Sequence, residues 1–205
     1  MTRILLVDVD SKIPNLALMK ISAYHKANGD EVGFDVTDPE KVIASIVFTE
    51  NRWKGSALRF MYPNATIEIG GSGYDLAATL PDEIERMKPD YDLYPDAAYS
   101  LGFTTRGCIR RCPFCIVPTK EGRFRRAQHI REWHDERFDS VICLDNNAYA
   151  DKAWFFENTD FVLEHGLRYN AIQGMDIRIL DEEIAGRLAD LKWSGRLHFA
   201  FDHIS

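Results

Sequence analysis

Apolar runs of strand length recur along this chain, and helical stretches separate most of them. In the first half, residues 4–8, 32–36, 45–49 and 66–69 read as strands. Helices are expected over 14–27, where Leu16, Met19 and Ala23 share a face and Gly29 acts as the stop, after Asp38-Pro39-Glu40, and around 53–60. A tight hairpin joins only antiparallel neighbours, so strands linked through helices pair in parallel. The expectation is an α/β protein that opens with a small Rossmann-like parallel α/β domain over residues 1–95. Gly70-Gly71-Ser72-Gly73 follows the fourth strand, either to let a ligand approach the backbone or as a plain turn. It does not complete a dinucleotide fingerprint, because position 76 is Leu76. The stretch 80–99, with Pro81, Pro89 and Pro95, reads as a helix followed by a linker.

The second half, 96–205, begins with a strand over 99–104 that runs into a cysteine-containing loop. Then come a helix over 127–137, a strand over 140–144, and a helix opened by Asp151 and closed by Gly166. A strand over 168–172 follows, then a helix capped by Asp181 with Ile184, Leu188 and Leu191 on one face, and a last strand over 196–201. This order is how a (β/α) barrel starts, and active sites of such barrels lie at the C-terminal strand ends.

Cys108, Cys112 and Cys115 form Cys-Ile-Arg-Arg-Cys-Pro-Phe-Cys, a CxxxCxxC run that holds three of the four cysteines. Three thiolates in one short loop can hold three corners of a 4Fe-4S cubane and leave the fourth iron open. The alternative is a structural zinc site of these cysteines with His129 or His134, although zinc sites usually show two separated ligand pairs and no second pair exists here. Cys143 stands alone on a predicted strand and reads as a small buried hydrophobe.

With Phe114 before the last cysteine, the run resembles the signature of the radical S-adenosylmethionine (SAM) enzymes, and residues 96–205 look like the N-terminal part of a radical SAM barrel. The resemblance implies that SAM chelates the open iron and is cleaved reductively to a 5′-deoxyadenosyl radical that acts on a substrate. It also implies a reductant such as flavodoxin or ferredoxin. Phe114 would pack near the adenine, with Ile116 and Val117 pairing with its edge. Asp145, Asn146 and Asn147 stand where the family carries a glycine-rich turn that holds the SAM amino group. Gln173, Asp176, Arg178 and Asp202, at later strand ends, are candidates for the ribose, the carboxylate or the substrate. An Asp176–Arg178 pair serving only structure is the competing view.

The N-terminal domain resembles that of the cobalamin-binding radical SAM class, which makes cobalamin a candidate cofactor, although the Asp-x-His-x-x-Gly motif of other corrinoid proteins is missing. Arg106-Gly107-Cys108, Cys115-Ile116-Val117-Pro118 and Arg123, Arg125 and Arg126 are similar to the cysteine loop of methylthiotransferases. Those enzymes carry three further cysteines in the N-terminal domain, and here none precedes Cys108. Such barrels normally continue for two more β/α units, so the resemblance suggests a fragment of a longer chain. A non-catalytic iron–sulfur electron-transfer or zinc-binding module remains the alternative to an enzyme.

Charge and hydropathy bound the setting. No run approaches the length of a membrane span, and the Met-Thr-Arg start lacks signal-peptide layout, so a cytoplasmic protein is expected. A net charge of −7 argues against a basic coat for nucleic acid. Arg106, Arg110, Arg111, Lys120, Arg123, Arg125 and Arg126 nevertheless crowd the cysteine loop against Glu121 alone. They form either a solvated loop or a field for an anionic substrate such as a nucleotide or RNA.

Overall fold

The computed structural model describes residues 1–173 and 175–200. They form two compact units, Met1–Ala97 and a second that begins at Ala98. The first is organised on β1 (Arg3–Asp8), α1 (Leu16–Ala27), β2 (Glu31–Gly33), β3 (Lys41–Ser45), α2 (Lys54–Met61), β4 (Thr66–Gly70) and α3 (Asp82–Glu85). Its four strands form one sheet in the order β2-β1-β3-β4, with every pair parallel. The inner strands β1 and β3 bury Ile4, Leu5, Leu6, Val42, Ile43 and Ala44, near-continuous apolar runs that suit strands covered on both faces. Asn15 caps α1 by accepting from the Leu18 N–H, and Gly29, at φ 80°, turns the chain out of it.

Three local expectations for this unit need correction. No helix follows Asp38. That residue takes φ 54°, Pro39 has no N–H to offer, and the Glu40 N–H donates to Arg3 O at 2.9 Å. The chain therefore joins the sheet at Lys41 rather than at 45. The glycine turn after β4 approaches the chain's own backbone: a Cβ on Gly71 (φ 98°) would lie 2.3 Å from Ile46 O, and one on Gly73 2.5 Å from the Phe48 carbonyl carbon. Between 80 and 99 the expected helix shrinks to α3 and a 3-10 turn at Tyr91–Leu93.

The second unit runs β5 (Ser100–Gly102), β6 (Thr105–Arg106), α4 (Val117–Lys120), β7 (Arg125–Arg126), α5 (Ile130–Trp133), β8 (Ser140–Cys143), α6 (Lys152–Glu164), β9 (Arg168–Ala171), β10 (Met175–Asp176), α7 (Glu182–Asp190), β11 (Lys192–Trp193) and β12 (Phe199–Ala200). Strands β5, β8, β9 and β11 form a parallel sheet in that spatial order, each beside its predecessor. The mixed α/β class with parallel sheets is thus what the alternation of the sequence implied. The core gathers Trp133, Val141, Tyr149, Phe155, Tyr169 and Leu188. Asp151 and Asp181 cap α6 and α7 as expected, accepting from Trp154 N–H at 3.1 Å and Ile184 N–H at 2.9 Å.

Here too the structure departs from the local reading. Only Ile130–Trp133 of the helix expected over 127–137 forms, with His134 already extended. The fourth strand of the sheet is β11; of the strand expected over 196–201, Phe201 lies outside the described residues and the described part supplies β12 beside β10. The Trp193 ring explains the difference: it meets Tyr169 edge-on at 5.5 Å and donates to Leu188 O at 2.8 Å. Both contacts seat β11 on β9 directly after α7.

Candidate functional site

The cysteine loop leaves the C-terminal end of β5 and is closed at its base by an antiparallel hairpin. Thr105 pairs with Arg126 and Arg106 with Arg125, and beyond this hairpin an isolated parallel bridge joins Cys108 to Arg123. Gly107, at φ 76°, makes this closure possible, because a Cβ there would lie 2.6 Å from Arg123 O. Cys108, Cys112 and Cys115 are free of disulfide bonds and partly exposed. The Cys115 N–H donates to Cys112 O at 3.0 Å across Pro113-Phe114, a tight turn. Phe114 is 71% exposed, Ile109 and Ile116 are exposed, and Val117 begins α4.

The residues that follow β8 reach this loop. Asp145, 2% exposed, accepts from the N–H groups of Thr104 (2.6 Å) and Thr105 (2.8 Å) and from the Thr104 hydroxyl (2.5 Å). Asn146 accepts from the Gly107 N–H at 3.2 Å. Asn147, 1% exposed, places Nδ2 3.8 Å from Cys108 Sγ, which also accepts from the Arg110 N–H at 3.3 Å. Asn147 Oδ1 and Thr105 Oγ1 are buried and without a hydrogen-bond partner, an arrangement that in folded proteins asks for a reason.

On β10, Asp176 is buried and holds two arginines, Arg110 from the cysteine loop at 2.8 Å and Arg178 at 2.6 Å. Burial pushes its carboxyl up, but the two guanidiniums outweigh that and leave it below the ordinary carboxylate range. Tyr149 fixes the strand by donating to Asp176 O at 2.9 Å. The Asp176–Arg178 pair is therefore formed, with Arg110 as a third member.

Asp145, Asn146, Asn147, Asp176 and Arg178 are thus brought to the cysteine loop or to the residues that lead into it. Gln173 is exposed in the turn after β9, Phe114 and Ile116 point their exposure at solvent, and Asp202 lies outside the described residues. Thr104, Thr105 and Tyr149 carry contacts that no motif in the sequence marks. Within the basic stretch, Arg106 is tied to Glu121, Arg110 to Asp176, and Arg126 to Asp151.

The chemistry of the donor set fits an iron–sulfur cluster: three free thiols on one loop, with the Arg110 N–H and Asn147 Nδ2 already directed at the Cys108 sulfur. Among the described residues, no group of three or more His, Cys, Asp or Glu side chains stands close enough together to hold a metal ion, so the three sulfurs do not converge in this structure. His129 and His134 are engaged elsewhere. His129 caps α5 by accepting from the Arg131 N–H, with burial and then the Arg131 charge holding its pKa low, and His134 Nδ1 meets Ser100 Oγ at 3.1 Å.

Asp145 makes a pH-dependent contribution to stability that can be measured. Burial raises its pKa to about 6 against the opposing donors of Thr104 and Thr105. The folded chain thus binds a proton between roughly pH 4 and 6 that the unfolded chain releases, and the penalty of the buried charge is relieved as pH falls through the folded pKa. Relative to Asp145→Asn, the wild type is expected to gain about 1 kcal/mol in urea unfolding between about pH 7.5 and pH 5. Parallel pH profiles for the two proteins would contradict this assignment.

In the first unit, the strand ends β1 and β3 are tied by Asp10, whose carboxylate accepts from the N–H groups of Val47 (2.7 Å) and Phe48 (3.1 Å) and from Asn51 Nδ2 (2.9 Å). No helix among the described residues is long and apolar enough to cross a membrane.

Comparison with known proteins places the fold. No family model matches this chain. The radical S-adenosylmethionine methyltransferase TsrM from Kitasatospora setae, solved with cobalamin and a 4Fe-4S cluster bound, matches it with a TM-score of 0.71 at 16% identity. The match covers 100% of this chain and 62% of that one. This chain shares the fold of that part of the enzyme. In sequence, alignments of 103 residues are 40% identical to the sodium channel protein type 3 subunit alpha of Mus musculus and of Rattus norvegicus, and 38% identical to that of Homo sapiens. They cover 46% of this chain, which spans 5% of the length of those relatives, and an overlap of that size transfers no activity.

Proposed function

We propose that this chain belongs to a radical SAM enzyme in which Cys108, Cys112 and Cys115 ligate a 4Fe-4S cluster and SAM occupies its open iron. The observation that carries the reading is the CxxxCxxC loop at the C-terminal end of β5, the first strand of a sequentially ordered parallel sheet, within a fold matched at TM-score 0.71 by a radical SAM methyltransferase. When bound, such a cluster supplies the electron that cleaves SAM reductively, and the chain contributes ligation, orientation and exclusion of water. Asp145 and Asn146 already serve Thr104, Thr105 and Gly107, so Asn147 Oδ1 is the remaining acceptor in that triplet for the SAM amino group. The exposed faces of Phe114 and Ile116, with Val117, would be covered by the adenine. Arg178 and Asp176 would meet the carboxylate or ribose, with Gln173 and Asp202 as further contacts.

The parallel sheet of the first unit supports cobalamin as a second cofactor, as does its presence in TsrM. The glycine turn does not, because it packs on the chain's own backbone. The exposed Arg111, Arg123 and Arg125 favour an anionic substrate, and a flavodoxin- or ferredoxin-like protein is the reductant of choice.

Anaerobic reconstitution with iron and sulfide, followed by dithionite and SAM, tests the reading. The expected product is 5′-deoxyadenosine. A cluster whose paramagnetic resonance ignores SAM would instead indicate an electron-transfer module, and a zinc-containing colourless protein would overturn the cluster altogether. Arg178→Ala is expected to weaken SAM binding about tenfold, the effect of one charge-assisted hydrogen bond, with iron content unchanged in a calorimetric titration of the reconstituted protein. Unaltered affinity would leave Arg178 with a purely structural pairing to Asp176.

A further inference from the structure

Three consecutive side chains after β8 each take hold of a different point on the segment that leads into the cysteine loop. Asp145 holds the N–H groups of Thr104 and Thr105 together with the Thr104 hydroxyl, Asn146 holds the Gly107 N–H, and Asn147 donates to Cys108 Sγ. The contacts advance in step along both segments. From α6, Trp154 Nε1 donates to Thr104 O at 2.8 Å, so this one residue is held at its N–H, its hydroxyl and its carbonyl. Thr104, Thr105 and Gly107 are all buried, so these donors and acceptors have no water to turn to.

We propose that Asp145, Asn146 and Asn147 are positioning residues that fix the path of the segment entering the cysteine loop, and the setting of the Cys108 sulfur, before any ligand binds. A segment ordered in advance spares the binding step its share of the ordering entropy, and an N–H aimed at a sulfur tunes its strength as a ligand. This role goes beyond the function proposed above, because it holds whether the loop takes iron, zinc or no metal. It also differs from a direct contact with SAM, which two of the three side chains are no longer disposed to make.

Amide hydrogen exchange on the metal-free full chain, resolved by NMR, tests the proposal. Asp145→Ala is expected to speed exchange at Thr104 and Thr105 by about tenfold or more while amides of β9 and α6 keep their rates. Asp145→Asn retains a carbonyl oxygen for both N–H groups and should preserve protection. Asn146→Ala should act at Gly107 alone, and Asn147→Leu should change the rate of iodoacetamide alkylation at Cys108 while Cys112 and Cys115 react as before. A residue that merely stabilised the unit would shift all amides together and would not separate Asn from Ala at position 145. If Asp145→Ala fails to fold, Asn146→Ala and Asn147→Leu decide the matter. Wild-type exchange at positions 104, 105 and 107 with unchanged Cys108 reactivity would overturn the proposal. Since no metal is added, that failure is distinct from a failure of the protein to bind iron.

Discussion

Alanine at Cys108, Cys112 or Cys115 is expected to abolish retention of iron and sulfide after anaerobic reconstitution, whereas Cys143→Ala should retain both. The contrast rests on setting rather than residue type. The three loop cysteines are free and partly exposed on one short loop, and Cys108 already accepts from the Arg110 N–H and from Asn147 Nδ2. Cys143 is fully buried at the C-terminal end of β8, against Tyr169, and burial raises its thiol pKa well above the ordinary value. It behaves as a small hydrophobe, and its truncation should cost about 1 kcal/mol of stability without touching the iron. Iron and sulfide analysis together with the visible spectrum of the four variants measures the effect. A brown Cys112→Ala protein, or a colourless Cys143→Ala one, would undo the ligand assignment.

Gly102→Ala is expected to destabilise the second unit by about 3 kcal/mol, while Gly186→Ala should stabilise it by roughly 0.5–1 kcal/mol. A Cβ at Gly102 would fall 2.5 Å from Trp133 Cδ2 and 2.6 Å from Cε2, and the Trp133 side chain is completely buried. The ring cannot withdraw without displacing the core around Val141 and Tyr169, so the added methyl forces strain into the strand that feeds the cysteine loop. At Gly186, inside α7, an added Cβ meets nothing within 4 Å and gains helix propensity. Urea unfolding followed by tryptophan fluorescence separates the two. Equal stability of Gly102→Ala and the wild type would mean that Trp133 does not pack against β5 as described.

Features that depend on near neighbours were legible before any coordinates. Alternating strands and helices implied parallel sheets, and Asp151 and Asp181 announced the starts of α6 and α7, because a cap is settled within four residues. Apparent exceptions came where a distant partner outweighed local preference. Glu40 bonds to Arg3, which leaves no helix after Asp38, and Trp193 bonds to the end of α7 and meets Tyr169 edge-on, which puts β11 in the place expected for the segment over 196–201. The glycine turn could be read two ways because nothing nearby in sequence says which backbone it will meet.

The chain alone determined its class and the chemistry available to it: a parallel α/β protein carrying three thiols on one short loop, since periodicity, turn residues and cysteine spacing are properties of contiguous stretches. Tertiary structure alone decided what surrounds that loop. Asp145 meets Thr104 across 41 residues and Asp176 meets Arg110 across 66, and which carboxylate finds which donor is set only when the strands that carry them are aligned. Buried hydrogen bonds between remote residues follow from packing, because burial is what makes an unmet donor costly enough to select its partner.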